Sequence, residues 1–335
     1  MFNTQHTLLK KSATLVGVSF AAAIAVSLSG AALAQSYATK TVTIIVSYPA
    51  GGDTDALGRL FAEKLAPRLG QNVVVENKPG ASGTIGNAFV AKAAPDGHTL
   101  LLSPSTISSA LLVLKPGTGG AYDTVNDFTP IIKVGTQPLF FVANVSSGVK
   151  NVKDLVEAAK AGKIASYGSP GSGSPMHILG EMFNKSAGIK IQQIPYRGSA
   201  PAVNDLLGGQ IQWMPTTLGP VRQHVQSGKM INIAVADAKR SSLAPDVPTL
   251  AELGFKDSEL DAWQGVFAPK GTPEAIVKQL NMHLNEIIKM PDVAARLNTI
   301  AVIPTGGDPS ELGKTHAGDH NRLAKVIADL KIQAD

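Results

Sequence analysis

The chain has 335 residues, 44% of them hydrophobic and 16% charged, with a formal net charge of +5 and no cysteine. That length holds one large or two medium domains, with enough core to do without disulfides. The missing cysteines exclude thiol nucleophiles, Cys-ligated zinc and iron–sulfur clusters. The charge is mild and no basic cluster carries interleaved aromatics, so a nucleic-acid partner is not expected.

Lys10 and Lys11 precede an apolar run from Ala13 to about Leu28, and Ala32-Leu33-Ala34-Gln35 follows as a small-x-small cleavage pattern. This reads as a secretory signal over residues 1–34. A membrane helix is the competing reading, but the run is shorter than the roughly 20 residues a bilayer needs and is broken by Ser27, Ser29 and Gly30. No Arg-Arg pair marks the twin-arginine route, and no Cys follows the cleavage site for lipid attachment. Loss of the segment removes two lysines and no acid, which lowers the charge from +5 to +3. The mature chain is expected from Gln35, soluble and periplasmic.

Strand and helix patterns then alternate, the signature of an α/β fold. Thr41–Ser47 reads as a strand, Thr54–Leu65 as a helix stopped by Pro67 and Gly70, and Asn72–Glu76 as a strand. Gly80-Ala81-Ser82-Gly83 opens a helix from about Thr84 to Ala93, and Thr99–Ser103 is a strand. Further strands are expected at Ile164–Tyr167, Ile189–Ile194, Ile211–Met214 and Ile231–Ala236. Helices are expected at Val152–Ala161, Pro175–Lys185, Ala200–Leu207 and Pro220–Gln226. The C-terminal part is helical, starting with Thr272 as cap and Pro273 in the first turn, and punctuated by Pro291 and Pro309.

An internal echo divides the chain. Leu57-Gly58-Arg59-Leu60-Phe61 is matched by Leu179-Gly180-Glu181-Met182-Phe183, and each helix starts after a Gly-rich turn, Gly51-Gly52 or Gly171-Ser172-Gly173. Each is followed by a strand and a Gly-small-small turn, Gly80-Ala81-Ser82 or Gly198-Ser199-Ala200. Two similar lobes would place these loops at strand C-terminal ends, where open α/β sheets bind ligands. Leu139–Ala143 and Trp263–Ala268 are apolar runs suited to two hinge crossovers. Two core strands of one continuous sheet would look the same.

Several motifs, in order, resemble the Bug-type periplasmic receptors of tripartite tricarboxylate transporters. They are Pro49-Ala50-Gly51-Gly52 with Thr54-Asp55, Val75-Glu76-Asn77-Lys78-Pro79-Gly80-Ala81 and Ala94-Pro95-Asp96-Gly97. Further along come Pro195-Tyr196-Arg197-Gly198-Ser199-Ala200-Pro201 with Asp205-Leu206, Ala238-Lys239-Arg240-Ser241 and Pro269-Lys270-Gly271-Thr272-Pro273. The resemblance spans essentially the whole mature chain. It implies a two-lobe type II periplasmic-binding-protein fold that closes on a small carboxylate, and delivery to a large and a small membrane subunit. On this basis lobe I is 35–137 plus 266–335 and lobe II is 138–265. One segment departs: an acid and an aromatic are usual after Gly209-Gln210-Ile211, and this chain has Gln212-Trp213-Met214-Pro215-Thr216-Thr217.

The expected site is a carboxylate held by backbone N–H groups at helix starts, where glycine permits close approach. Lobe I would supply Ala50, Gly51, Gly52, Ser82, Gly83, Thr84 and Ser103. Lobe II would supply Ser172, Ser174, Gly198, Ser199, Ala200 and Thr216. Asp53 and Asp55 either cap their helix or line the cleft and meet a ligand amine or hydroxyl. Trp263 either covers an aromatic ligand or packs the hinge. Arg197 reads as a solvated arginine, or else reaches a second ligand carboxylate bidentately; His177 reads as bonded to its loop, or else reports on pH; and Asp205 reads as structural. The expected ligand is a mono-, di- or aromatic acid, with a slight tilt, from Gln212–Thr217 and Trp263, towards an aromatic or otherwise largely apolar one. No catalytic residue, metal or cofactor is expected, and the chain is expected to be a monomer.

Three patterns are set aside. Gly307–Thr315 has one residue too many for a phosphate loop, His316 and His320 lack a third metal ligand, and no Gly-x-Ser-x-Gly elbow occurs. Two alternatives to transport stay open: a ligand-sensing receptor for a two-component sensor kinase, and an exported hydrolase built on Ser174 and His177.

Overall fold

In the computed structural model, residues 37–334 are described; the signal expected over residues 1–34 lies outside them. The first strands are β1 (Val42–Val46), β2 (Val73–Asn77) and β3 (Thr99–Pro104), with α1 (Asp53–Leu69) and α2 (Thr84–Ala91) between them. All three strands run parallel, with β1 in the middle. This is the arrangement that strand–helix–strand crossovers impose. Helix α1 does not stop at Pro67: it runs on to Leu69 and closes on Gly70 in the left-handed region.

The largest departure from expectation is β4 (Phe128–Asn144), 17 residues long. Only Leu139–Ala143 reads as a strand in the sequence, because Pro130, Gly135 and Pro138 interrupt the apolar pattern before it. The register with β9 (Asp261–Pro269) shifts near Pro130 and Lys133, and the bulges absorb those residues. From Phe128 to Pro138, β4 pairs antiparallel with β9, which also pairs with β3. From Leu139 onward it belongs to a second sheet, flanked by β7 (Trp213–Thr217) and β8 (Met230–Val235). The chain thus leaves the first sheet at Pro138–Leu139 and re-enters it at Asp261, on two adjacent strands.

Around the second sheet lie α4 (Val152–Lys160), α5 (Pro175–Ala187) and α6 (Ser199–Leu207); α3 is the short turn Ala110–Val113. The parallel pair β5 (Ser166–Ser169) and β6 (Gln192–Pro195) adjoins it, and α7 (Arg222–Gln226) precedes β8. Alternation along β4 sorts its side chains between two cores. Leu139, Phe141 and Ala143 pack with Tyr167, Phe183 and Trp213. Phe140 and Val142 pack with Leu206, Ile211 and Met214. A third core under the first sheet holds Ile45, Leu101, Phe128, Trp263 and Phe267.

The chain ends in α8 (Glu274–Ile288), α9 (Pro291–Thr299), the two-residue strand β10 (Ile303–Pro304) and α10 (Pro309–Leu330). Thr272 does not cap α8 as expected: its hydroxyl donates to Pro269 O, and Pro273 occupies the cap position. Helix α10 serves both halves, with Leu312 in the first-sheet core and Leu323 and Ile327 in the second. Residues 266–335, expected in lobe I, therefore end in a helix whose last turns pack against the other sheet. Among the described residues, no helix is long and apolar enough to cross a membrane.

Candidate functional site

A cavity of about 70 Å³ lies where the loops of the two sheets meet. Helices α1 and α6 both point their N-termini at it. Their cap residues are Gly52 and Gly198, and neither helix has a side-chain cap. The first N–H groups of a helix have no partner within it, so here they stay open to an acceptor in the cavity. Helix α5 also ends at the cavity wall, through Pro175 and Met176. Its N-terminus is closed, because Ser174 Oγ accepts from His177 N at 3.2 Å. Replacing Ser174 with alanine should cost about 1 kcal/mol of stability, read in urea unfolding, with ligand affinity unchanged.

Of the expected site residues, Ala50, Gly52, Asp53, Gly198, Ser199 and Ala200 line the cavity together. Gly51 stands just outside, its N–H donating to Asp55 Oδ2 at 3.0 Å. Asp55 lies off the cavity lining: burial raises its carboxyl, but Arg59 at 3.0 Å, the Gly51 N–H and Asn77 outweigh that and hold it below the usual range. Ser82, Gly83 and Thr84 are screened by Tyr48, whose ring packs on Gly83 and whose hydroxyl donates to Ser82 O. Thr84 donates back to Ala81 O.

Three more expected residues stand one position off the cavity lining, for one reason. Ser103, Thr216 and Trp263 lie on strands, and neighbouring strand residues face opposite ways. The cavity receives Pro104, Thr217, Ala262 and Gln264 instead. Ser103 is buried against Ser47 and Asn87. Thr216 is buried outside the lining. Trp263 is a hinge-packing residue, its Nε1 donating to Asp319 at 2.8 Å and its ring against Phe267 and His316. Ser172 is buried and also off the lining. Trp213, in the segment that departs from the usual pattern, sits wholly in the core. Arg197 is exposed yet lines the cavity rim. Ser174 and His177 form a helix cap and loop contact, with Gly173 N donating to His177 Nδ1, so the hydrolase pair lacks an exposed nucleophile.

The cavity floor is a polar relay that sequence reasoning missed. Thr54 Oγ1 donates to Gln264 Oε1 (3.3 Å), Gln264 Nε2 to Gln137 Oε1 (2.9 Å), and Gln137 Nε2 to Asp53 Oδ2 (3.0 Å). Thr217 Oγ1 donates to the same Oδ2 at 3.0 Å. The relay joins the start of α1, both crossover strands and the end of β7. Burial pushes the Asp53 carboxyl up to about 6, while the Thr217 and Gln137 donors hold it from rising further. Much of the remaining wall is apolar, with five prolines: Pro49, Pro104, Pro170, Pro175 and Pro201. Proline has no N–H, so these five positions offer the cavity no backbone donor. Among the described residues no group of side chains could hold a metal ion.

Two sheets joined by two adjacent crossover strands, with a cavity between glycine-capped helix starts, define a solute-binding receptor of the periplasmic-binding-protein type. The family model described as tripartite tricarboxylate transporter family receptor matches residues 57–332, and the chain belongs to that family. It is similar to BugT of Bordetella pertussis, 36% identical over 88% of this chain and 91% of that protein. Among solved structures it resembles periplasmic binding protein BugD, with a TM-score of 0.81, 34% identity and coverage of 89% of this chain and 100% of that one. It also resembles the R. palustris protein Rpa4515 with adipate, with a TM-score of 0.82, 32% identity and coverage of 88% and 98%.

Proposed function

We propose that this chain is an exported receptor that closes its two lobes on a small organic carboxylate and hands it to the large and small membrane subunits of a tripartite tricarboxylate transporter. The observation that carries the reading is the facing pair of uncapped helix N-termini, Gly52–Thr54 and Gly198–Ala200, across one cavity. Helix N-termini favour anions. The relative solved with adipate supports a carboxylate as the guest.

Magnitudes suffice. Charge-assisted hydrogen bonds contribute about 1.5–3 kcal/mol each and a helix terminus about 0.3–1. Four or five such contacts offset the cost of association and reach roughly −8 kcal/mol, or micromolar affinity. The lobes are 35–137 with 266–335, and 138–265, hinged at the β4 and β9 crossovers, with the last turns of α10 reaching over to pack on the second lobe. The receptor works as a monomer outside the cytoplasmic membrane, after loss of residues 1–34.

Uptake tests the reading. Cells lacking this chain should lose uptake of the carboxylate that stabilises the purified protein, and regain it with the wild-type chain. Uptake that continues unchanged without the chain would contradict the transport role.

A further inference from the structure

The cavity holds an acid of its own. Asp53 is the first residue of α1 and lines the wall beside the donors expected to bind the ligand. It does not cap its helix; its carboxylate is turned to Gln137 and Thr217, both donating to Oδ2 at 3.0 Å. Among the described residues no donor reaches Oδ1. Across the cavity, α6 begins at Gly198 with no acid in its first turn, and the exposed Arg197 lies beside it. The two ends of the cavity are therefore unlike in charge: both helix starts offer N–H donors, but the α6 end adds a cation and the α1 end a carboxylate.

We propose that Asp53 determines specificity: the receptor takes a small monocarboxylate whose far end carries a hydrogen-bond donor, a hydroxyl or an amine, and discriminates against a second carboxylate. The proposal rests on the carboxylate reading above. The ligand's carboxylate sits between the two open helix starts, closest to the Gly198–Ala200 turn. Its far end meets Asp53, where a donor completes a hydrogen bond and a second anion meets a like charge in a site of reduced dielectric. A methyl group there leaves the acid without a partner from the ligand. The relay fixes Asp53 in place, because both of its donors stand on other elements and cannot follow it away.

The test is a matched four-carbon series titrated calorimetrically into the mature chain: butyrate, 4-hydroxybutyrate and succinate. The hydroxy acid should bind at least tenfold more tightly than butyrate, and succinate more weakly than both. In Asp53→Asn, which keeps the shape and removes the charge, succinate should gain at least tenfold and the preference for the hydroxyl should shrink. Should that variant fail to fold, the wild-type order alone decides. Succinate as the tightest wild-type ligand would overturn the role of Asp53 while leaving the carboxylate reading intact. Binding of none of the three acids, with binding of their uncharged amides, would overturn both.

Discussion

Replacing Gly198 with valine should abolish ligand binding, a loss of at least a hundredfold in affinity, while the ligand-free protein still folds. Gly198 sits at φ +104, a region that L side chains rarely adopt. An ideal Cβ there would lie 3.5 Å from Pro49 Cδ, at the contact between the two glycine turns. Alanine fits that contact and meets only the backbone strain, so it should cost about tenfold. Valine adds branches that push Pro49 away, and the turns can no longer meet around the ligand. Calorimetric titration of both variants, alongside thermal unfolding of the free proteins, separates lost closure from lost fold. Unchanged affinity in the valine variant would show that the Pro49–Gly198 contact has no part in binding.

The second large effect is on stability. Trp213 has no exposed surface and packs its ring 5.1 Å from Phe141, 5.2 Å from Tyr167 and 5.9 Å from Phe183. Trp213→Ala removes the centre of that cluster and should destabilise the fold by about 3–5 kcal/mol. Trp213→Phe should cost less. It keeps most of the packing and removes a buried Nε1 that lacks a hydrogen-bond partner among the described residues. Urea unfolding reads both. A loss under about 1 kcal/mol for the alanine variant would contradict the packing described.

How far the sequence reveals this receptor depends on which signal each part leaves. The α/β order is legible because apolar periodicity and glycine or proline punctuation are local. The glycine turns at Gly51-Gly52 and Gly198-Ser199-Ala200 are legible because an uncapped helix start after a strand has a recognisable composition. The first half of β4 is not, since Pro130, Gly135 and Pro138 look like breaks until bulges in the pairing with β9 accommodate them. The cavity floor is not either. Whether Trp263 or its neighbour Gln264 faces the cavity is a question of strand parity, settled by pairing with β3 and β4 across more than 100 residues of chain. Ser103 against Pro104 and Thr216 against Thr217 fail the same way. Asp53 is a mixed case. Its place on the cleft is readable from the turn, but its partners Gln137 and Thr217 come from the crossover strand and the second sheet. Nothing local in the sequence connects them.

The central claim is that the Gly52 and Gly198 turns hold a carboxylate. A thermal-shift measurement on mature protein, residues 35–335, tests it most directly, using small organic acids paired with their uncharged amides. An acid at a hundred times its dissociation constant should stabilise the fold by about 2.7 kcal/mol, and its amide should shift the melting temperature little. Equal shifts from acid and amide, or shifts only from sugars, amines or metals, would mean that the open helix starts do not bind an anion and that the glycines serve only as turns.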